Sequence, residues 1–332
     1  MNIAPPPLEI LLTVDVEFSI HGAFTFPDQA RPLGEPFVVC RDGAGREQGL
    51  GLMLDTFAEH GLLANFFCET LQTTWFGAEP MGTIARRIHA AGHDVQLHLH
   101  PCWKFFDHSN WREQLRCQRP NDNCHGRTPE EIVDWIQTGR TLFEQWGLPP
   151  PVALRAGGLR VDRELYRVMA QLEMPLASHI GLGVFLPAEP ELHLACGLHR
   201  FDGVLELPVF SYHARLPRPA HPWRSLTLTG TSWWEMRALL EQARLAHLSP
   251  VVILLHPHDL AGPAPTHPAH RIHQSRLRNL CRLISTHPDR YRAVSIHSNL
   301  IRWQKMATIP SKSFSPPFTL QLARLLENLL NR

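Results

Sequence analysis

Residues 93–101 read His-Asp-Val-Gln-Leu-His-Leu-His-Pro, and the fold can be inferred outward from this stretch. Successive side chains of an extended strand point to opposite faces, so His98 and His100 share one face while aliphatic residues fill the other. Pro101 has no N–H to donate and ends the strand, which places both imidazoles beside a loop. Parallel α/β folds carry their chemistry at this end of their strands. The pair is either half of a metal site or, in a chain with 21 histidines, two solvated or core-packed side chains.

The rest of the chain alternates between short apolar segments and helical patterns. Parallel neighbours in a sheet need a crossover helix, so this alternation predicts a parallel sheet. About seven strand–helix units in one run predict a single α/β barrel-like domain over residues 1–307, followed by a proline-flanked helix within 308–332. The predicted strands are 8–16, 62–68, the histidine segment, 152–155, 176–180, 205–212, 251–256 and 291–296, and the main predicted helices are 49–60, 80–91, 128–146, 162–171, 232–245, 271–285 and 319–330.

Two segments lack a clear hydrophobic period. Residues 18–48 are rich in Gly, Pro, Asp and Phe, which predicts a long loop near the strand ends with a short strand at 37–40. Residues 102–127 carry Trp, Phe, Asn and Arg in irregular order, and we interpret them as a surface insertion beside the site.

Composition excludes several classes of partner. Lys and Arg total 32 against 31 Asp and Glu, so a formal charge of +1 argues against nucleic acid as the main partner. Seven cysteines without a CxxC pair, and an N-terminus without a basic and an apolar region, predict a reducing, cytoplasmic location. No apolar run approaches the ~18–20 residues that a membrane span requires. The oligomeric state is not indicated.

Polar side chains capable of chemistry lie at or near the predicted C-terminal ends of strands. A barrel brings such ends together on one rim, whatever their separation in sequence. Two carboxylates and two neutral imidazoles would form a site for Zn²⁺ or a similar divalent ion, which lowers the pKa of bound water and polarises a carbonyl. The candidates are Asp15, Glu17, His98, His100, Arg155, Glu206, His256, His258 and Asp259.

Several of these residues also have a purely structural interpretation. Arg155 is as readily an ion-pair partner or a packing residue as a catalytic group. Glu206, close to Pro208, resembles a solvated carboxylate at a strand end. Cys102 lies four residues after His98 and is either a thiolate ligand or a small buried hydrophobe.

Five segments together resemble a known family. They are TVDVE at 13–17, GHDVQLHLHP at 92–101, RAGG at 155–158, ELPV at 206–209 and LLHPHD at 254–259. Their order resembles the five motifs of the polysaccharide deacetylase superfamily (NodB homology, carbohydrate esterase family 4), over roughly residues 8–300, in a divergent branch with an HxHP motif. The resemblance implies a distorted (β/α) barrel with about seven parallel strands, and a divalent metal ion that takes part in removing acetyl groups from N-acetylated sugars.

The resemblance also implies roles for particular residues. Asp15 matches the general base, His98 the first histidine ligand, Arg155 the arginine that orients the base, and His256 the general acid. The family's second aspartate, a metal ligand, is replaced here by Val16, so Glu17 or Asp15 takes that role.

The family's second histidine ligand is likewise replaced, by Cys102, so His100 or Cys102 takes its place. We therefore assign Glu17, His98 and His100 to the metal. Trp103, Glu206 and His258 are assigned to substrate binding.

The predicted function is metal-dependent hydrolysis of an amide C–N bond, in which a sugar of a nucleotide-linked, lipid-linked or glycan precursor is de-N-acetylated. Two other functions remain open. One is a metal-independent hydrolase that opens cyclic amides, and the other is a catalytically inactive barrel that binds carbohydrate. Metal content separates the first function from the other two, and turnover of an amide separates the second from the third.

Overall fold

The strands form one large sheet and a short ribbon. The structure, a computed structural model, describes residues 5–215, 222–261 and 268–330. The strands of this part of the chain are β1 (Leu8–Val16), β2 (Asn65–Glu69), β3 (Asp94–Leu99), β4 (Ala153–Ala156), β5 (Leu176–Ala177), β6 (His199–Phe201), β7 (Val204–Glu206), β8 (Ser211–His213), β9 (Trp223–Ser225), β10 (Val251–Leu255) and β11 (Tyr291–Ala293).

The large sheet is parallel along its main path. Its order is β10-β1-β2-β3-β4-β5-β7-β6, with β11 also paired to β1 and with β6 antiparallel to β7. All nine residues of β1 are buried, as expected for the strand at the centre of a doubly covered sheet. Isolated parallel bridges from Val209 to Val252 and from Thr227 to Leu254 connect the far side of the curled sheet back to β10. The prediction of a distorted (β/α) barrel with about seven parallel strands is confirmed.

Helices cover the outside of the sheet and several begin at the predicted caps. Thr128 and Ser232 each accept a hydrogen bond from the backbone N–H three residues later, and the glutamates at those positions complete two capping boxes. The helices of the described residues are α1 (Glu35–Val39), α2 (Leu50–Glu59), α3 (Thr73–Phe76), α4 (Glu79–Ala90), α5 (Trp111–Cys117), α6 (Pro129–Gln145), α7 (Arg163–Gln171), α8 (Trp233–Leu245), α9 (Pro268–Thr286), α10 (Ile296–Lys305) and α11 (Phe318–Leu330).

The two segments without a period differ from the prediction. The strand expected at 37–40 is helix α1, because Pro36 fits the first turn of a helix and Cys40 closes it in the left-handed conformation. The expected surface insertion at 102–127 contains a 3₁₀ helix (Pro101–Asp107) and α5, and it buries Trp103 and Trp111. Its aromatic residues pack on one another and are part of the main hydrophobic core.

The strand predicted at 205–212 is divided between two sheets. Residues up to Glu206 pair within the large sheet as β7, whereas Ser211 begins β8, which pairs with β9 in the separate two-stranded ribbon. Pro208 lies between them and cannot donate a ladder hydrogen bond. The very short strands β6 and β9 were not predicted.

The segment after residue 308 is bound to the barrel. Ile309 exchanges two backbone hydrogen bonds with Leu198, at 2.8 and 3.0 Å. On α11, the Arg324 guanidinium lies 3.0 Å from the buried carboxylate of Glu235 on α8. The domain boundary at 308 stays a prediction.

Two further observations concern the whole chain. All seven cysteines are free thiols. None of the helices in the described ranges has both the length and the apolar character needed to cross a bilayer.

Candidate active site

The candidate residues meet at the C-terminal edge of the parallel sheet. Asp15 lies near the end of β1, and Glu17 follows that strand directly. His98 on β3 is in register with Arg155 on β4. His256 follows the last residue of β10, and β10 pairs with β1. Parallel pairing of consecutive strands therefore brings together groups that are up to about 240 residues apart in the sequence.

Three potential ligand atoms converge beside β1. Glu17 Oε2 lies 3.2 Å from His98 Nε2 and 2.5 Å from His100 Nε2, and the two Nε2 atoms are 3.1 Å apart. Zn²⁺ binds imidazole nitrogen and carboxylate oxygen at about 2.0–2.2 Å in tetrahedral sites, so one ion can reach all three atoms. The structure therefore contains a candidate metal site at this point.

The hydrogen bonds on the far side of each imidazole fix which nitrogen faces the cluster as an acceptor. His98 Nδ1 lies 2.9 Å from the backbone oxygen of Arg155, and His100 Nδ1 lies 2.8 Å from Asp122 Oδ2. Both partners accept hydrogen bonds, so each Nδ1 carries the proton and each Nε2 presents a lone pair. Two lone pairs and the Glu17 carboxylate then face one another, an arrangement that a proton or a metal ion between them would stabilise. The donor set thus fits a divalent ion, with the outer hydrogen bonds typical of metal-binding histidines.

The local charges favour a positive charge at the same place. Burial would lower the pKa of His100, but the carboxylates of Asp122 and Glu17 raise it well above its usual range. Either a proton or a metal ion offsets these two negative charges.

Asp15 is held by a completely buried arginine. Arg155 Nη1 donates to Asp15 Oδ1 at 2.7 Å and to Thr13 Oγ1 at 3.0 Å. Its Nε and Nη2 donate to the backbone oxygen and the hydroxyl of Ser178, at 2.9 and 2.8 Å. Asp15 Oδ2 remains on the side of the candidate metal site, 3.8 Å from His98 Nε2. Arg155 is therefore an ion-pair partner, and the carboxylate that it fixes is Asp15.

His256 and Asp259 form a second titratable pair. His256 Nδ1 is 3.3 Å from Asp259 Oδ2. Burial alone would lower the pKa of His256, but the charge and hydrogen bond of Asp259, together with the charges of Glu17 and Asp15, raise it to about 9. Burial and the neighbouring His256 lower the pKa of His258, whose ring packs on Phe37 at 4.6 Å between centroids.

These groups surround a polar cavity of about 280 Å³. Its lining includes the titratable residues Asp15, Glu17, His256, His258 and Asp259. The same lining contains Arg224, three hydroxyl residues and three glycines, which are Ser225, Thr227, Thr229, Gly158, Gly183 and Gly230. Asp15, Glu17 and His256 line this cavity, whereas His98 and His100, the other residues assigned to the metal, are absent from its described lining.

Two residues assigned to substrate binding lie elsewhere. Glu206 is completely buried, accepts hydrogen bonds from the Tyr166 hydroxyl and from the backbone N–H groups of His179 and Ile180, and is absent from the described lining of the cavity. Burial raises its pKa to about 7. It is neither a solvated carboxylate nor a cavity residue, because the chain after β5 folds over it.

Trp103, which was also assigned to substrate binding, is absent from the described lining of the polar cavity. It is only 1% exposed and packs against Phe76 and Phe106, at 5.7 and 5.6 Å between ring centroids. It lines a different cavity, also of about 280 Å³, on the far side of His100. His258, by contrast, does line the polar cavity.

Two functional candidates were missed in the sequence. Asp122, which holds His100, lies in the aperiodic segment 102–127, where no pattern distinguished it. Glu69, the last residue of β2, is completely buried and accepts hydrogen bonds from the N–H groups of Leu71, Gln72 and His100. A carboxylate at the end of an apolar strand was the available signal for Glu69.

Comparisons with known proteins agree with this fold. No family model matches the chain, and no curated protein matches its sequence. Among solved structures, a candidate polysaccharide deacetylase from Mycobacterium smegmatis aligns over 96% of this chain and 99% of its own, with a TM-score of 0.55 and 16% identity. The chain therefore has the NodB-type fold that its five motifs predicted.

Two further solved structures align less well. A family 4 acetyl xylan esterase from Clostridium thermocellum, in complex with a cobalt ion, aligns over 89% of this chain and 91% of its own, with a TM-score of 0.42 and 14% identity. A CE4-family pseudoenzyme from Bacillus anthracis aligns over 89% and 66%, with a TM-score of 0.43 and 10% identity. Both TM-scores are below 0.5, so the fold assignment rests on the first alignment alone.

Proposed function

We propose that this chain is a metal-dependent hydrolase that removes the acyl group from the nitrogen of an N-acylated sugar. One observation carries the proposal: three inward-facing acceptor atoms, of Glu17, His98 and His100, converge beside the Asp15–Arg155 ion pair. His256 faces the same cavity.

Zinc is the proposed resident ion, because two imidazole nitrogens and one carboxylate oxygen with an open position are typical of catalytic zinc. When bound, such an ion polarises a carbonyl group and lowers the pKa of water towards neutrality. The remaining steps belong to the side chains of the protein.

Asp15 is the proposed general base. One of its oxygens accepts a hydrogen bond from Arg155 Nη1, which orients the carboxylate. The other oxygen lies on the side of the metal cluster, 3.8 Å from His98 Nε2. Asp15 Oδ2 is thereby positioned to take a proton from the attacking nucleophile.

His256 is the proposed general acid. With its pKa raised to about 9, it is protonated near neutral pH. Asp259 binds Nδ1, so Nε2 is the atom that donates a proton to the leaving nitrogen. An amine leaves readily only when it is protonated, and this step therefore requires an acid on the leaving-group side.

A sugar is the proposed substrate because hydroxyl residues and an arginine line the same cavity as Asp15 and His256. Hydroxyl groups of Ser225, Thr227 and Thr229, with Arg224, offer hydrogen bonds suited to sugar hydroxyls. A cavity of about 280 Å³ is at the small end of ligand pockets and suits one sugar ring with a short acyl group.

The test is acetate release by zinc-loaded protein from N-acetylated amino sugars, offered free, nucleotide-linked and as oligosaccharides. We expect turnover of at least one of these, loss of turnover with a chelator and recovery with Zn²⁺. Turnover of a cyclic amide that survives chelation would instead support the metal-independent hydrolase. If zinc-loaded protein turns over no amide at all, the result would instead support a catalytically inactive barrel that binds carbohydrate.

The cytoplasmic location belongs to the same proposal and is supported by seven free cysteines. Thiol labelling and mass spectrometry of the protein from its native source should find the cysteines reduced. Three disulfides would overturn the location.

A further inference from the structure

A second set of ligand atoms lies on the far side of the His100 ring. A ring nitrogen of His100, Cys102 Sγ and a carboxylate oxygen of Asp122 all lie within 4.8 Å of one another. Nδ1 and Asp122 Oδ2 are 2.8 Å apart, and the backbone N–H of Cys102 donates to Asp122 Oδ1 at 3.3 Å. Nitrogen, sulfur and oxygen donors in this number form three corners of a tetrahedral site.

An ion can reach this second set from a cavity of its own. The cavity of about 280 Å³ beside Trp103 is lined by His100, Cys102 and Asp122 together with Phe18 and Phe24. It leaves room for a water molecule as a fourth ligand. His100 thus has Nε2 directed to Glu17 and His98, and Nδ1 next to Asp122, which lines this cavity.

We propose that His100, Cys102 and Asp122 bind a second divalent ion of the thiophilic kind, such as Zn²⁺ or Cd²⁺, and that the His100 ring bridges the two ions as an imidazolate. On binding, the ion replaces the proton of His100 Nδ1 and the proton of the Cys102 thiol, and both protons pass to solvent. No electrons are transferred.

The charges of the two sites balance. Two divalent ions bring four positive charges. The carboxylates of Glu17 and Asp122, the thiolate of Cys102 and the bridging imidazolate of His100 bring four negative charges. A charge-neutral cluster avoids the large penalty of burying net charge. The thiolate selects Zn²⁺ or Cd²⁺ over Mg²⁺ and Ca²⁺, which prefer oxygen ligands.

The bridging role of His100 rests on the proposed first site, but the second site has ligands of its own. Its test uses Cd²⁺ as the probe, in a Cys117→Ser background that removes the exposed cysteine. Equilibrium dialysis measures the number of ions per chain, and ultraviolet absorption reports cadmium–thiolate bonds. We expect two Cd²⁺ per chain and a thiolate band.

Variants of the second site give the decisive comparison. Cys102→Ser should bind one ion and lose most of the thiolate band, and Asp122→Asn should weaken uptake of the second ion. Cys124→Ser is the matched control, because Cys124 is a buried cysteine two positions from Asp122 that lies outside the ligand set; it should keep both ions and the band.

Two results would overturn the second site: uptake of a single ion by the background protein, or a band that is unchanged in Cys102→Ser. His98→Ala separates this proposal from the proposed function, since His98 belongs to the first set alone. That variant should lose one ion and retain the thiolate band.

Discussion

Asp15 and Glu17 lie two positions apart at the end of β1, and they therefore share a face of the strand while Val16 is buried on the other. Their partners differ. Asp15 meets the Arg155 guanidinium, and Glu17 meets the two imidazoles. This separation explains how adjacent carboxylates can serve as a base and as a ligand.

We predict that Asp15→Asn lowers turnover by roughly 10²–10⁴-fold, the usual contribution of general acid–base catalysis. Bound metal should largely remain, because Glu17 supplies the carboxylate ligand. The measurements are acetate release on the best substrate and metal content after dialysis, with Glu17→Gln as the contrasting variant that should lose metal. Unchanged turnover would contradict the role of Asp15, and loss of metal would make Asp15 a ligand.

We predict that Asp259→Asn lowers the pKa of His256 from its value of about 9, because Asp259 contributes more than Glu17 or Asp15 to offsetting burial. A raised pKa in the folded state stabilises the protein fully below the unfolded pKa of about 6.5, and this contribution disappears as the pH rises through about 9. The wild type should therefore exceed the variant in unfolding free energy more at pH 6 than at pH 10.

The pKa itself is measured by NMR titration of the His256 ring in zinc-loaded protein. If the titration midpoint of His256 is the same in Asp259→Asn, then Asp259 does not hold the proton on His256.

Sequence patterns identified the residues at strand ends better than those in loops. Asp15, His98, Arg155 and His256 could be placed together because an apolar run followed by a polar residue marks where a buried strand ends. Asp122 could not, since its contact with His100 depends on how an aperiodic segment folds back.

At the scale of elements, the turn after β4 sets the position of a ligand. Gly157 follows β4 and lies against the His100 ring, so that a Cβ added at this position would be 2.5 Å from Nδ1. Backbone atoms of the turn thus form one wall of the imidazole's slot. Glycine is required at position 157 because the His100 ring lies too close to leave room for a side chain.

We predict that Gly157→Ala displaces the His100 ring and weakens metal affinity by about 10–100-fold, the range found for changes in groups that support metal ligands. Competition with a chromogenic zinc chelator measures the affinity. Gly43→Ala is the control, because a Cβ at Gly43 meets nothing within 4 Å. Equal affinities of the two variants would show that His100 does not ligate the ion.

Long helices and strands with a clear hydrophobic pattern could be predicted from the sequence, and very short elements could not. The 17-residue helix α6 begins at the predicted cap, and the fully buried strands β1 and β10 have nearly their predicted bounds. Strands β6 and β9 have three residues each, too few to show a period. Helix α1 was predicted as a strand because its β-branched residues outweighed its N-terminal proline.

The whole molecule includes the C-terminal helix as a packed part. Arg324 on α11 is 3% exposed and Glu235 on α8 is fully buried, so each charge depends on the other. A buried charge that loses its partner is strongly destabilising, whereas an exposed ion pair contributes little.

We predict that Arg324→Met lowers the free energy of unfolding by about 3–5 kcal/mol. The control is Arg86→Met, which breaks the exposed pair with Glu79 and should change stability by less than about 1 kcal/mol. Urea denaturation measures both variants. Equal stabilities would mean that α11 adds little to the barrel and that residues after 308 act as a separate unit.

The parallel, barrel-like arrangement could be predicted because strands and helices alternate along the sequence, whereas the order of the strands and the contacts that close the barrel could not. Closure depends on the Val209–Val252 and Thr227–Leu254 bridges, which join distant segments without a repeating pattern.

The central claim is that Glu17, His98 and His100 hold a divalent ion. Anomalous diffraction at the zinc absorption edge, from crystals of zinc-loaded protein, tests it most directly. The account predicts a peak about 2.0–2.2 Å from Glu17 Oε2 and from the Nε2 atoms of His98 and His100. A fully loaded crystal whose peaks all lie away from these three atoms would contradict it.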